Sequence, residues 1–164
     1  MHYFLILIAF ITFSGNAQHS LRDVLDKYND ESIPYIHVSE LAKLDKSKVI
    51  LVDAREKEEF NISHLKNAFY SGYNDFDPRF LKQNRISKDR KIIVYCSLGV
   101  RSEDIAKKIR KLGYTEVYNL YGGIFEWKNK GFPVFDTEGK TTEKVHAFSK
   151  EWGIYLKKGQ KVYE

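Results

Sequence analysis

The chain has 164 residues, which suggests one domain, and 43% of them are hydrophobic, which is enough for a packed core and excludes a disordered chain. The formal net charge is +5, and much of the excess lies in residues 79–91, where Asp89 is the only acidic residue. We interpret this run as a solvated surface, with a basic rim that attracts small anions as the alternative. No nucleic-acid-binding motif accompanies the run, so we do not expect nucleic acid as a partner.

The first 17 residues are typical of a secretory signal peptide. Residues 3–13 are apolar apart from one threonine, and Gly15 and Ala17 are the small residues that a signal peptidase requires, so we expect cleavage after Ala17. The apolar run is too short to span a membrane comfortably, although the lack of a preceding lysine or arginine leaves an uncleaved anchor as the alternative. We expect an exported protein, periplasmic or secreted, with no stable membrane span after cleavage.

The lead-in, residues 18–32, contains a predicted helix at its centre, which Ser20 would cap. Residues 33–37 predict a short strand at the edge of a sheet, because Pro34 has no N–H group to donate to a neighbouring strand. Ser39 would cap the short helix that follows.

Residues 49–52 are apolar and predict a buried strand. Asp53 and Arg55 follow it, at the position where open α/β sheets place their sites. We favour a structural interpretation, in which the two charges pair with each other or tie neighbouring loops together, since charges next to buried strands are usually partnered. The next predicted elements are a helical turn at residues 56–60, a strand at residues 68–70 and a helix at residues 77–84.

The main functional signal follows these elements. Residues 92–95 predict a central strand buried on both faces. The turn that follows, residues 96–101, begins with Cys96. Ser102 would cap a helix over residues 103–112, whose acidic residues come first and whose basic residues come last, as the helix dipole favours. The only cysteine of the chain therefore lies between a buried strand and the start of a helix.

This position suits a nucleophile. Backbone N–H groups of the loop and of the first helical turn point into one small space and favour an anion, and the thiolate is the nucleophilic form of cysteine. Arg101 adds a fixed positive charge whose shape suits oxyanions. The alternative is a cysteine that merely packs, as a lone cysteine usually does, but Gly99, Arg101 and the helix start that follow Cys96 favour a reactive thiol.

The last third of the chain completes the domain and adds an extension. Residues 116–120 predict the last parallel strand, and Gly122 and Gly123 let two backbones approach closely. Residues 134–164 are too apolar for a free tail, so we expect them to pack on the domain. An extra hairpin with its turn at residues 158–160 is one form that this packing could take.

Three segments resemble the rhodanese (sulfurtransferase) family, in the family's order. Residues 49–68 contain Asp-x-Arg after a strand and a histidine–hydrophobic pair before an alanine, residues 96–102 read Cys-x-x-Gly-x-Arg-Ser, and residues 120–127 read Leu-x-Gly-Gly-x-x-x-Trp. The resemblance covers about residues 33–133. The alternation of strands and helices predicts an α/β fold, a parallel sheet of about five strands with helices on both faces, and a rhodanese-like fold agrees with that pattern.

The resemblance implies a sulfurtransferase that needs neither a metal nor an organic cofactor. Cys96 would attack the sulfane sulfur of a small anionic donor such as thiosulfate and, as a persulfide, pass it to a thiol, to cyanide or to a protein acceptor. Arg101 would orient the donor, while Asp53, Arg55 and His64 would support the structure, since the family uses no catalytic histidine. The residues expected to bind the donor and the persulfide are Ser97, Leu98, Gly99, Val100 and Ser102.

Two other functions stay open. A non-enzymatic sulfur-carrying or partner-binding module of the cell envelope would dock through the extension and hand its sulfur to one protein. A phosphatase is disfavoured by the length of the loop, because four residues separate Cys96 from Arg101, whereas related phosphatase loops have five and so hold the larger phosphate.

Overall fold

The computed structural model of the chain describes residues 20–163, so the signal segment proposed for residues 1–17 lies outside the described residues. Five strands form the central sheet: β1 (Tyr35–Ile36), β2 (Val49–Asp53), β3 (Phe69–Tyr70), β4 (Lys91–Tyr95) and β5 (Val117–Leu120). All neighbours are parallel and their order is β1-β5-β4-β2-β3. The predicted α/β fold with a parallel sheet of about five strands is therefore confirmed.

Six helices of the described residues accompany this sheet. They are α1 (Leu21–Tyr28), α2 (Val38–Lys43), α3 (Lys57–Ile62), α4 (Arg79–Gln83), α5 (Arg101–Lys111) and α6 (Gly123–Asn129). All of them except α3 pack apolar side chains on the two faces of the sheet. Successive residues of a strand point to opposite faces, and β4 shows this directly. Its Ile93 and Tyr95 belong to one hydrophobic cluster with α1, α2 and α6, while Ile92 and Val94 belong to a second with α4 and α5. In residues 20–163 no helix is long and apolar enough to cross a membrane.

Two helix starts differ from the prediction. Helix α5 begins at Arg101, so Ser102 lies inside its first turn rather than at its cap. The reason is a tertiary contact, because the Ser102 hydroxyl donates to the Oδ1 atom of the buried Asn119, 2.7 Å away on β5. Helix α2 begins at Val38, which places Ser39 inside that helix as well.

The extension after residue 133 packs through apolar side chains but not as the expected hairpin. Strands β6 (Val134–Phe135) and β7 (Thr141–Thr142) pair antiparallel. Strands β8 (Lys144–His146) and β9 (Gln160–Val162) pair in parallel, because the short helix α7 (Lys150–Gly153) carries the chain back between them. A hairpin with its turn at residues 158–160 is therefore wrong. The side chains that join the extension to the core include Val145, Ala147 and Leu156.

Helix α5 also carries an acid that is removed from water, Glu103. Its carboxylate lies 3.6 Å from the amine of Lys107, one turn further along the helix. Burial, and then the neighbouring carboxyl of Asp30, raise the pKa of Glu103 to about 7, against the opposing charge of Lys107. Because the pKa of Glu103 differs between the folded and the unfolded chain, this residue makes the free energy of unfolding depend on pH.

Replacing Glu103 with glutamine should flatten the pH dependence of stability. Between its ordinary pKa of 4.5 and its folded value of about 7, the folded state keeps a proton that the unfolded state releases, so stability falls as the pH rises through this window. We expect wild-type protein to lose about 1–3 kcal/mol through this group, after allowance for solvent screening. Urea unfolding at both ends of the window measures the loss. Glu103→Gln should lose less than wild type, the exposed Glu138→Gln control should match wild type, and an unchanged loss in Glu103→Gln would contradict the assignment.

Candidate active site

Cys96 directly follows the central strand β4, and its sulfur lies inside the loop that leads into α5. The backbone N–H of Gly99 donates to the sulfur over 3.1 Å, and the Ser102 hydroxyl lies 3.5 Å from it. The side chain is buried, with 2% of the residue exposed. The Gly99 N–H and the amino end of the eleven-residue α5 supply positive partial charge to a sulfur anion, whereas the single proton of the Ser102 hydroxyl is donated to Asn119.

Two asparagines fix the shape of this loop. The side-chain amide of Asn119 on β5 donates to the carbonyl oxygen of Gly99 over 2.7 Å, and that of Asn29, just after α1, donates to the same oxygen over 2.9 Å. Gly99 has a φ of +113°, a conformation that only glycine adopts without strain. Its carbonyl is therefore turned away from Cys96, which leaves its N–H group facing the sulfur.

The start of α6 holds the loop from its other side. Ile124 donates its N–H to the carbonyl oxygen of Cys96 over 2.9 Å, and Phe125 donates to that of Ser97 over 3.1 Å. A Cβ atom on Gly123 would lie only 2.3 Å from the Cys96 carbonyl oxygen. This confirms the predicted close approach of two backbones for Gly123 and identifies the Cys96 loop as the second backbone, whereas a Cβ on Gly122 would meet the side chains of Glu126 and Leu21.

The cation of the loop, Arg101, is already paired. Its guanidinium donates to both carboxylate oxygens of Glu59 on α3, over 2.7 and 2.8 Å, and to the hydroxyl of Ser97 over 3.1 Å. The Ser97 hydroxyl in turn donates to Glu59 over 3.1 Å. Burial opposes ionisation of Glu59, but the hydrogen bonds and charge of Arg101, with the charge of Arg55, outweigh it and hold the pKa of Glu59 below its ordinary value.

This pairing bears on the role predicted for Arg101. The sequence suggested a guanidinium open to an anionic donor, whereas the structure shows one bound in bidentate fashion to a buried carboxylate. Sequence reasoning missed Glu59, because the segment around it reads as an ordinary helical turn. Its partner lies 42 residues further along the chain, so no local pattern indicates the contact.

The extension supplies one wall of a pocket over the loop. The Phe148 ring lies on the Arg101 guanidinium, 4.6 Å from ring centroid to Cζ. Phe148 has a φ of 63°, unusual for an aromatic residue, and its N–H donates to Nδ1 of His146 over 3.2 Å. The pocket has a volume of about 140 Å³ and is lined by Cys96, Ser97, Leu98, Val100, Arg101, Phe148 and Trp152.

The residues expected to play supporting roles lie outside this pocket. Asp53 and Arg55 form a fully buried ion pair of 2.7 Å, and Arg55 also donates to the carbonyl oxygen of Ser63 over 2.6 Å. His64 stacks on Phe60, with ring centroids 4.1 Å apart. These contacts join β2 to α3 and to the chain that follows, and none of the three predicted residues lines the pocket.

The basic run at residues 79–91 does not surround the pocket. Lys91 begins β4, so it lies about 15 Å along the strand from Cys96. The Lys88 amine donates to the carbonyl oxygen of Leu112 beyond the far end of α5. The placement of both lysines argues against a rim that attracts anions to the Cys96 loop, and agrees with a solvated surface.

Replacing Gly123 with alanine should disrupt the loop. The added Cβ would overlap the Cys96 and Ser97 backbone, and the positive φ of 55° adds strain, so we expect a loss of about 2–5 kcal/mol in the free energy of unfolding. Gly139→Ala is the matched control, since Gly139 also has a positive φ but no atom within 4 Å of the added Cβ. Urea unfolding should show a much larger loss for Gly123→Ala, and equal losses would contradict the proposed close contact.

Comparisons with known proteins agree with this geometry. The model of the rhodanese-like domain family matches residues 38–130, more than half of the chain. A tRNA uridine(34) hydroxylase of Aster yellows witches'-broom phytoplasma is 32% identical over 111 residues, which is 66% of this chain and 36% of the relative. An adenylyltransferase and sulfurtransferase of Candida albicans is 34% identical over 130 residues, 74% of this chain and 28% of the relative. The chain thus spans about a third of the length of these curated relatives.

Solved structures show the same architecture. A protein of Bacillus halodurans is 26% identical with a TM-score of 0.57, over 73% of this chain and 89% of the other. A protein of Helicobacter pylori is 30% identical with a TM-score of 0.51, over 70% of this chain and 94% of the other. With the Cys96 loop at the carboxyl end of the central strand and the family match across the sheet, the chain belongs to the rhodanese-like domain family.

Proposed function

We propose that this protein is a sulfurtransferase that carries sulfane sulfur as a persulfide on Cys96. The observation that carries the proposal is the position of the Cys96 sulfur, 3.1 Å from the Gly99 N–H and at the amino end of α5. A persulfide ends in a sulfur anion, which such donors stabilise. One curated relative is named as a sulfurtransferase, which supports the same chemistry.

The reaction follows from this geometry in two steps. The Cys96 thiolate attacks the outer sulfur of the donor, so that a new S–S bond forms and the donor's own S–S bond breaks. The electron pair of the broken bond leaves with the rest of the donor molecule, which is sulfite when the donor is thiosulfate. An acceptor thiolate then attacks the terminal sulfur of the persulfide and restores the Cys96 thiolate. When cyanide is the acceptor in place of the thiolate, the product is thiocyanate. Neither step requires a metal or an organic cofactor.

Within this proposal the geometry favours a supporting role for Arg101. To meet an anionic donor directly, its guanidinium would have to leave Glu59, and a buried carboxylate would then lack its partner. Held where it is, Arg101 fixes Ser97 and so the first turn of the loop. The same pairing counts against a phosphatase, whose oxyanion substrate needs an available guanidinium in the loop.

A sulfur carrier for one protein partner is the second candidate. The observation that favours it is the exposure of apolar side chains at the pocket, since Phe148, which lines it, and Tyr28, whose ring centroid lies 5.8 Å from that of Trp152, are each more than 40% exposed. We also propose export to the periplasm or the medium, on the strength of residues 1–17 alone.

Cys96→Ser should abolish sulfur loading and turnover. We expect the intact mass of the wild-type protein to rise by one sulfur atom after incubation with thiosulfate or with an organic thiosulfonate, and cyanide to discharge the added sulfur as thiocyanate. The chain has one cysteine, so the mass change reports on this thiol alone.

Because a blocked thiol would mimic failure, alkylation by iodoacetamide first verifies that Cys96 is reduced and accessible. Absence of added sulfur from both donors, with an alkylatable thiol, would overturn the proposal. Loading without catalytic turnover on small acceptors would favour the carrier.

A further inference from the structure

The pocket over Cys96 is largely apolar, and the family match does not account for its outer wall. Phe148 and Trp152 come from the extension, beyond the matched residues 38–130. The inner wall is formed by Leu98 and Val100 of the loop itself. A group attached to the reacting sulfur would therefore lie between aromatic rings and aliphatic side chains.

The charge around the pocket disfavours a small dianion. Of the seven residues that line it within the described part of the chain, Arg101 alone is charged, and its charge is paired with Glu59. The Phe148 ring covers one side of that guanidinium. Burial lowers the pKa of the nearby His146 against the opposing charge of Glu59, and its Nδ1 atom accepts the Phe148 N–H rather than donating a proton towards the pocket. Thiosulfate would lose its hydration here without gaining a free cation.

The size of the pocket suits an organic group. Its volume is about 140 Å³. An apolar protein cavity of about 150 Å³ is large enough to bind benzene. An aromatic ring or a short alkyl chain therefore matches the size of this pocket, whose lining brings Phe148 and Trp152 together with the buried Cys96.

We infer that the sulfur donor is an organic compound whose sulfane sulfur is attached, through a sulfonyl group or a second sulfur atom, to an apolar group the size of a benzene ring, and that Phe148 and Trp152 select it over thiosulfate. This inference rests on the proposed function. With an aryl thiosulfonate, the Cys96 thiolate bonds to the outer sulfur, the S–S bond of the donor breaks, and its electron pair leaves with the aryl sulfinate. Charge and atoms balance without an added oxidant or reductant.

The test compares benzenethiosulfonate with thiosulfate as donors to the purified protein. The second-order rate constant for persulfide formation is measured by intact mass for each donor. It is then divided by the rate constant of the same donor with free cysteine, so that the difference in chemical reactivity between the two donors cancels. We expect this normalised ratio to favour benzenethiosulfonate by at least about tenfold, as burial of a ring worth about 1.4 kcal/mol would give. A ratio near one would overturn the inference while leaving the proposed function intact, whereas no persulfide from either donor would refute the proposed function itself.

Variants distinguish the effect of the aromatic side chains that line the pocket from the effect of the Arg101 charge. Phe148→Ala and Trp152→Ala should each lower the normalised ratio several-fold, because each slows the reaction with benzenethiosulfonate and leaves the reaction with thiosulfate unchanged. Phe148→Leu should keep part of the wild-type ratio. Ile154→Ala is the matched control, because this exposed residue of the extension does not line the pocket, and it should leave the ratio unchanged. Glu59→Gln should raise the rate constant for thiosulfate several-fold, because it releases the charge of Arg101. Equal losses for both donors in the alanine variants, or no gain for thiosulfate in Glu59→Gln, would contradict the selection mechanism.

Discussion

Two charge-assisted hydrogen bonds join the guanidinium of Arg101 to the carboxylate of Glu59, and both side chains are largely removed from water. Removing one partner of such a pair leaves an uncompensated charge and typically costs about 3–5 kcal/mol. The pair also links α3 to the first residue of α5 and aligns Ser97, so it closes one side of the Cys96 loop. The cation that the loop motif supplies is therefore used within the protein, and the loop's electrostatic support for an anion comes from the backbone.

The remaining contacts keep that backbone in place. A parallel sheet brings the loop after β4 next to the end of β5, where the buried amide of Asn119 binds the Gly99 carbonyl and the Ser102 hydroxyl at once. The first N–H groups of α6 bind the loop's carbonyls from the other side. Donors held in this way need no rearrangement when charge develops on the sulfur, which is the main electrostatic advantage of a preorganised site. The extension then restricts access, because Phe148 lies over Arg101 and narrows the opening to an apolar pocket.

The sequence predicts the sheet and the position of Cys96 well, because both depend on local patterns. Short apolar runs such as residues 92–95 indicate buried strands, and glycines such as Gly123 indicate a close backbone approach. The partners that shape the site are not visible in this way. Glu59 lies 42 residues from Arg101, and Asn29 lies 70 residues from Gly99, so only the completed fold brings them together. The local preference of Ser102 favours a cap, but a buried acceptor on β5 outweighs that preference. The parallel pairing inside the extension likewise depends on α7, whose single turn leaves little trace in the sequence.

The pairing of Arg101 with Glu59 is tested most directly by a double-mutant cycle on the free energy of unfolding, with Glu59→Gln, Arg101→Gln and the double variant. If the charge of Arg101 is paired inside the fold, each single change leaves a buried charge without its partner, and the double variant should recover much of that loss. We expect a coupling energy of about 1–3 kcal/mol, the range found for interacting neighbours. Losses that add to within about 0.5 kcal/mol would show that the two side chains act independently. That result would mean that the Arg101 charge is available to an anionic donor. It would contradict a site in which only the backbone stabilises the sulfur anion.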